Sequence, residues 1–247
     1  MLNAQFFTDT GHHREKNEDA GGIFYNMTDQ QLLVLCDGMG GHKAGEVASQ
    51  FVVNRFQELF EQENLVEESQ AEEWLRSTLQ LINRELYNYA AANEDFRGMG
   101  TTAVVALIYD KRVINANIGD SRAYLINSRE IEQITSDHSF VNHLVMTGQI
   151  TEEEAFTHPQ RNIITKVMGT DKFVVADIYV KRLNFNDYLL LNSDGLTDFV
   201  RPHLIQEQLN QDLPLETQGQ ALLDLAQAYD STDNVSFVLA EIEGDRV

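Results

Sequence analysis

Short, continuous runs of apolar residues alternate along this chain with polar and glycine-rich segments. In the first such run, residues 32–36 lead directly into Asp37, and three of the next four residues are glycine. A continuous apolar run of this length is typical of a strand that is buried on both faces. Because glycine adds no side chain and accepts unusual backbone angles, the following residues predict a tight turn or a close approach of the backbone.

The same arrangement recurs three times. Three further aspartates lie beside predicted strands: Asp120 after residues 113–118, Asp194 after residues 188–191, and Asp233 before residues 235–242. If these strands share one sheet system, the four carboxylates meet on one rim, where they repel each other unless cations intervene. An all-oxygen site of this kind selects magnesium, manganese or calcium. Any one Asp-Gly pair is equally typical of a plain turn, so the hypothesis depends on the recurrence.

The remaining periodicity predicts an α+β fold. Apolar residues at helical spacing predict two amphipathic helices, over residues 47–60 and 74–89. Successive strands joined by short turns predict antiparallel pairing. The other predicted strands are 5–8, 22–25, 103–109, 123–126 and 173–180, and the other predicted helices are 196–199, 203–209 and 215–229. Two antiparallel sheets packed together and covered by helices account for this order.

The strand pattern stops between residues 136 and 171. Residues 139–147 and 151–156 are predicted as short helices, the second with a capped start at Thr151. A 36-residue segment between strands is long enough to form a flap that faces a substrate. A passive excursion of the chain explains the same pattern.

Composition and charge limit the possible domain organisation, binding partners and location of the protein. The chain has 247 residues, 43% of them hydrophobic, and only 3 prolines, which predicts one domain over residues 1–247. A net charge of −21 argues against binding to nucleic acid, which needs lysine and arginine. No apolar run reaches 18 residues, no signal-peptide pattern is present, and Cys36 is the only cysteine. We therefore expect a cytoplasmic protein, without stable membrane insertion and monomeric.

The candidate chemistry is hydrolysis of a phosphate ester. A pair of divalent cations activates water and neutralises charge on a phosphoryl group. Arg14, in the polar loop 9–19, matches phosphate geometry, although an exposed hairpin loop is an equally ordinary reading. A thiol phosphatase is excluded, because the residue six positions after Cys36 is His42 rather than arginine and an apolar run disfavours a thiolate.

Six motifs in order resemble the metal-dependent type 2C protein serine/threonine phosphatases, in particular their compact bacterial branch. The motifs extend over nearly the whole chain: Asp9-x-Gly11-x-x-Arg14-x-x-Asn17-Glu18-Asp19-Ala20, Asp37-Gly38-Met39-Gly40-Gly41-His42, Gly100-Thr101-Thr102, Gly119-Asp120-Ser121-Arg122, Ser193-Asp194-Gly195 and Asp233-Asn234. The resemblance implies a four-layer α-β-β-α sandwich, a flap within residues 136–171, and dephosphorylation of phosphoserine and phosphothreonine in proteins, opposing a partner kinase.

The resemblance also implies roles for individual residues. Asp37 would bridge two Mn²⁺ or Mg²⁺ ions, with the Gly38 carbonyl on the first and with Asp194 and Asp233 on the second. Asp120, together with Asp194, matches a third and weaker metal position. In the surrounding loop, Glu18 and Asp19 would hold waters of the ions and Arg14 would receive the substrate phosphate.

Two departures from the family pattern bear on these roles. Met39 stands where the animal enzymes have a histidine that acts as general acid, so His42 is the candidate here; a loop histidine that caps backbone fits as well. Residues 230–232 replace the glycines that usually precede the last aspartate. A non-catalytic binding module would be expected to have lost the aspartates, all of which are present. The remaining alternatives are a metal-binding protein without turnover and a phosphatase for small phosphate esters.

Overall fold

The computed structural model describes residues 2–40 and 44–243, and within these ranges the chain forms eleven strands and seven α-helices. The strands are β1 (Leu2–Asp9), β2 (Asp19–Tyr25), β3 (Gln31–Met39), β4 (Gly100–Thr101), β5 (Ala103–Ile108), β6 (Arg112–Ile118), β7 (Arg122–Ile126), β8 (Ile131–Gln133), β9 (Asp177–Arg182), β10 (Tyr188–Asn192) and β11 (Val235–Ile242). The helices are α1 (Ala44–Phe60), α2 (Ala71–Ala92), α3 (Phe140–Met146), α4 (Glu152–Phe156), α5 (Asp194–Thr197), α6 (Pro202–Leu209) and α7 (Leu215–Ala228).

The strands form two sheets in which every pairing is antiparallel. One sheet has the order β1-β11-β10-β7-β8, and the other has the order β2-β3-β5-β6-β9 with β4 paired to the end of β3. In the second sheet Asp19 lies opposite Asp37. The ends of β2 and β3 therefore bring two acidic residues of the sequence motifs to one edge of the sheet.

Three apolar layers hold the two sheets and the helices together. Along β3, Leu32 and Val34 pack toward α1 and α2, while Leu33 and Leu35 pack toward the other sheet. This alternation explains why the run is continuously apolar, since both of its faces are buried. On the far side, α5, α6 and α7 cover the first sheet around Phe237. The result is a four-layer α-β-β-α sandwich, which confirms the predicted fold class.

One predicted strand begins later than expected. Residues 173–176 are apolar in part, but β9 begins only at Asp177. The backbone N–H of Val174 donates to the Gln80 side chain of α2 at 3.2 Å, and Val174 packs in the layer between the helices and the second sheet. Its apolar surface is therefore buried against a helix rather than within a ladder, which periodicity alone does not distinguish.

The segment from residue 136 to residue 171 contains α3 and α4 and little other regular structure. Ser139 caps α3 by accepting from the Asn142 N–H, and Thr151 forms a reciprocal capping box with Glu154 at the start of α4. An isolated antiparallel bridge joins Ser139 to Ile164 and so closes the base of the segment. Among the described residues, no helix is long and apolar enough to cross a membrane.

Candidate active site

Asp37 lies at the end of β3, where neighbouring strands fix its backbone. Its N–H donates to Thr102 Oγ1 at 2.9 Å, and its carbonyl accepts from the N–H of Thr102 and the hydroxyl of Thr101, both at 2.9 Å. The Gly100-Thr101-Thr102 motif thus has a specific local role, since two threonine hydroxyls hold the aspartate at the rim. Gly38 then passes so close to α1 that a Cβ would lie 2.1 Å from the Gly45 carbonyl oxygen.

The loop from β1 to β2 adds two acidic residues beside Asp37. A carboxylate oxygen of Asp19 accepts from the Ser193 hydroxyl at 2.9 Å, which links the second sheet to the end of β10 in the first. The backbone of Glu18 donates to Asn234 Oδ1 at 2.8 Å and accepts from the Gly38 N–H at 3.1 Å. The Asp233-Asn234 motif and the loop motif therefore meet at this edge.

Asp194 and Asp120 follow strands of opposite sheets and influence each other by charge. Burial, and then the charge of Asp120, raise the pKa of Asp194 well above its usual range. Burial, and then the neighbouring Asp137, raise the pKa of Asp120 to about 7. Asp120 is only 5% exposed, and its Oδ1 atom has no hydrogen-bond partner. Such a buried carboxylate oxygen calls for a cation or an added proton.

Asp233, just before β11, faces Arg14. The Nη2 atom of Arg14 donates to a carboxylate oxygen of Asp233 at 2.6 Å, and its Nε atom donates to the Thr232 carbonyl at 3.2 Å. The Arg14 side chain is still 43% exposed. Gly11 makes this approach possible, because its φ is +76° and a Cβ would lie 2.4 Å from the Asp233 carbonyl oxygen.

The carboxylates act on one another as a group. Burial, and then the charges of Asp19, Asp194, Asp120 and Asp233 in that order, raise the pKa of Asp37 well above its usual range. The pKa of Asp19 rises to about 6 for the same leading reason, burial. Within residues 2–40 and 44–243, no three acidic, histidine or cysteine side chains are already grouped as a ligand set for one ion. The donors nevertheless fit hard divalent cations, since they are oxygens whose mutual repulsion a cation relieves.

Arg122 forms ion pairs with two acidic residues other than Asp120, its near neighbour in the sequence. Its side chain is partly buried, and the guanidinium pairs with Asp137 at 2.8 Å and with Asp198 at 3.0 Å. Asp137 and Asp198 are the members of this site that sequence reasoning missed. Asp198 lies one helical turn after Asp194, and that i, i+4 spacing is the signal that could have indicated it.

Met39 and His42 are the two residues that bear on the predicted general acid. Met39 is partly exposed at the end of β3, next to the rim. His42 lies outside the residues that the structure describes, so its proposed role stays a prediction.

The chain belongs to the protein phosphatase 2C family, whose model matches residues 10–231. It is similar to the serine/threonine phosphatase stp of Listeria monocytogenes, with 39% identity over 241 residues that cover 97% of this chain and 96% of the relative.

Solved structures give the same result. The crystal structure of the serine/threonine phosphatase Stp1 from Staphylococcus aureus matches with a TM-score of 0.97 and 67% identity, covering 99% of this chain and 96% of that one. The catalytic domain of the serine/threonine protein phosphatase PstP, in complex with two manganese ions, matches with a TM-score of 0.85 and 33% identity, covering 98% and 99% of the two chains. The likeness extends over the whole sandwich.

Proposed function

We propose that this chain hydrolyses phosphoserine and phosphothreonine in proteins, using Mn²⁺ or Mg²⁺ ions. The observation that supports this most strongly is the group of carboxylates on one rim whose pKa values are raised by burial and by one another. Two bound divalent cations supply a Lewis acid that activates water and neutralises charge on the phosphoryl group. The family membership and the manganese in PstP support the same choice of ion.

The residues of the rim divide the work of holding these ions. Asp37 is the proposed bridge between two ions, with the Gly38 carbonyl on the first and with Asp194 and Asp233 on the second. Asp120 is assigned with Asp194 to a third position. These assignments are supported by the electrostatics of the rim. The charges of Asp120 and Asp233 raise the pKa of both Asp37 and Asp194.

Side chains of the β1–β2 loop would serve the waters and the substrate. Glu18 and Asp19 are proposed to hold waters of the ions, and burial raises the pKa of both carboxyls. Arg14 is proposed to bind the substrate phosphate, because its partly exposed guanidinium lies against Asp233 at the rim. His42 is proposed as the general acid that protonates the leaving serine or threonine oxygen.

Several properties of the whole protein complete the proposal. We assign residues 1–247 to one catalytic domain, with residues 136–171 as a flap whose pocket lies against Asp120 and Arg122. The substrates are phosphoproteins, and a cognate Ser/Thr kinase is the proposed partner that the enzyme opposes. We place the enzyme in the cytoplasm as a monomer, in agreement with its single cysteine and its charge of −21.

Activity assays test the proposal directly. Para-nitrophenyl phosphate and a phosphothreonine peptide should both be hydrolysed with Mn²⁺ and not with a chelator. Asp37→Ala and Asp194→Ala should abolish turnover, while Asp212→Ala, the same change at an exposed aspartate after α6, should leave it unchanged. Full activity of either rim variant would overturn the ligand assignment, and hydrolysis of the small ester alone would overturn the proposed substrate class.

A further inference from the structure

The turn that contains Asp120 is held from one side by the first residues of the 136–171 segment. The N–H of Gly119 donates to Nδ1 of His138 at 3.0 Å, and the Gly119 carbonyl accepts from the backbone N–H of His138 at 2.9 Å. Gly119 has a φ of +109°, and a Cβ there would lie 2.5 Å from the Thr102 side chain. The residue before Asp120 is therefore fixed by a two-point contact with one histidine.

The orientation of that histidine is itself determined by its neighbours. A backbone N–H can only donate, so Nδ1 of His138 accepts and the ring proton lies on Nε2. Nε2 donates to one carboxylate oxygen of Asp177 at 3.2 Å. The Lys166 ammonium lies 3.0 Å from Nε2 but is itself only a donor, and it pairs with the other Asp177 oxygen at 3.4 Å. The His138 side chain is only 10% exposed. Asp177 thus accepts from the ring and holds it against Gly119.

The other end of the turn is held by the residue just before His138. The Nε and Nη2 atoms of Arg122 reach Asp137 Oδ2 at 2.9 and 2.8 Å, and Nη1 donates to Thr197 Oγ1 at 2.7 Å. A guanidinium bound this way on both sides has little freedom. Two consecutive residues, Asp137 and His138, therefore fix both ends of the turn from Gly119 to Arg122.

Asp120 lies between these two anchors, and its buried Oδ1 atom has no hydrogen bond of its own. Its direction is consequently set by the backbone of the turn. We propose that His138, with Asp137, is a positioning residue that aims the Asp120 carboxylate at a divalent cation and so links the 136–171 segment to the rim. The proposal rests on one part of the proposed function, namely Asp120 as a cation ligand.

Hydrogen exchange tests the contact itself without any need for metal or catalysis. By NMR, the Gly119 amide should be protected in the wild type and exchange several-fold faster in His138→Leu. His138→Asn, whose amide oxygen can replace Nδ1 as acceptor, should restore part of the protection. His143→Leu, the same change at an exposed histidine of α3, should have no effect. An unprotected Gly119 in the wild type would overturn the proposal.

Manganese titration by calorimetry and by electron paramagnetic resonance tests the consequence. Partners that orient a metal ligand contribute about 10–100-fold to metal affinity. His138→Leu should therefore lower the affinity for the same manganese ion whose affinity Asp120→Asn lowers. The tighter ions should be retained, and the double variant should show no additional loss. If His138→Leu fails to fold, Asp177→Ala, at a half-exposed position, should give a smaller loss in the same direction.

The outcomes separate this inference from the proposed function. An unchanged manganese isotherm in folded His138→Leu and Asp177→Ala overturns the positioning role, even when the wild type is a phosphatase. An isotherm in which Asp120→Asn equals the wild type also overturns it, because no cation then depends on Asp120. A chain that shows the predicted exchange and isotherms but hydrolyses no phosphoester supports the positioning role and refutes the proposed activity.

Discussion

Replacing Asp120 by asparagine should raise the free energy of unfolding of the protein when a chelator keeps it free of metal. The increase should be larger at higher pH. Burial first, and then the charges of Asp137 and Asp198, raise the pKa of Asp120 from 3.8 to about 7, although Arg122 lowers it in part. In the unfolded chain the same carboxyl titrates near its ordinary value. Between about pH 4 and pH 7 the folded state therefore binds the additional proton, and wild-type stability falls as the pH rises through this window.

The size of the effect follows from the shift. One pKa unit corresponds to about 1.36 kcal/mol. Compared with a carboxyl whose pKa does not change on folding, Asp120 lowers the free energy of unfolding by at most about 4 kcal/mol at pH 8 and about 2 kcal/mol at pH 5. Both values are upper limits, because the turn can relax and admit water around the charge. Asp120→Asn removes the ionisable group, so its gain over the wild type should be larger at pH 8 than at pH 5.

Urea unfolding with a chelator, at pH 5 and pH 8, measures this difference. Asp212→Asn, at an exposed position, should show no pH-dependent gain over the wild type. If Asp120→Asn is equally stable relative to the wild type at both pH values, the Asp120 carboxylate is solvated or paired. The electrostatic reasoning for the whole rim would then be refuted.

Three further predictions address separate parts of the site. Arg14→Ala should lower kcat/KM about tenfold to hundredfold at saturating Mn²⁺, since a charged hydrogen bond contributes about 1.5–3 kcal/mol; an unchanged kcat/KM would contradict phosphate binding. Gly38→Ala should lower the free energy of unfolding by about 1–3 kcal/mol or more, because its Cβ would strike the Gly45 carbonyl; wild-type stability in urea would contradict this close approach. Iodoacetamide at pH 8 should leave Cys36 unmodified and activity intact in the folded protein, because burial raises the pKa of this thiol; rapid inactivation would revive a thiol mechanism.

The strands around the site could be predicted because they are buried on both faces and are therefore apolar at consecutive positions. The run 32–36 is apolar at every position, and in the structure alternate residues of β3 face the helices and the other sheet. Likewise β11 spans Val235–Ile242, the range that the pattern predicts. The apolar runs are followed or preceded by aspartates, so these aspartates could be recognised before their partners were known. The pattern did not predict that β3 continues past Asp37 to Met39, where it pairs with β4.

The contacts between these ends could not be predicted in the same way. Arg122 has Asp120 two residues away, yet it pairs with Asp137 and Asp198 from two other elements. Local spacing favours the nearest carboxylate, whereas the turn at Gly119 directs the two side chains differently. The late start of the strand predicted over residues 173–180 has the same origin, because Val174 packs against the helices and its N–H donates to a side chain of α2. Both depend on packing between distant segments.

Anomalous diffraction from crystals grown with manganese would show which residues bind the ions, because it locates manganese without reference to activity. We expect at least two manganese peaks at the rim, with Asp37 in contact with both and with Asp194 and Asp233 in contact with the second. Peaks elsewhere on the protein, or bound manganese that touches none of these three carboxylates, would contradict this expectation.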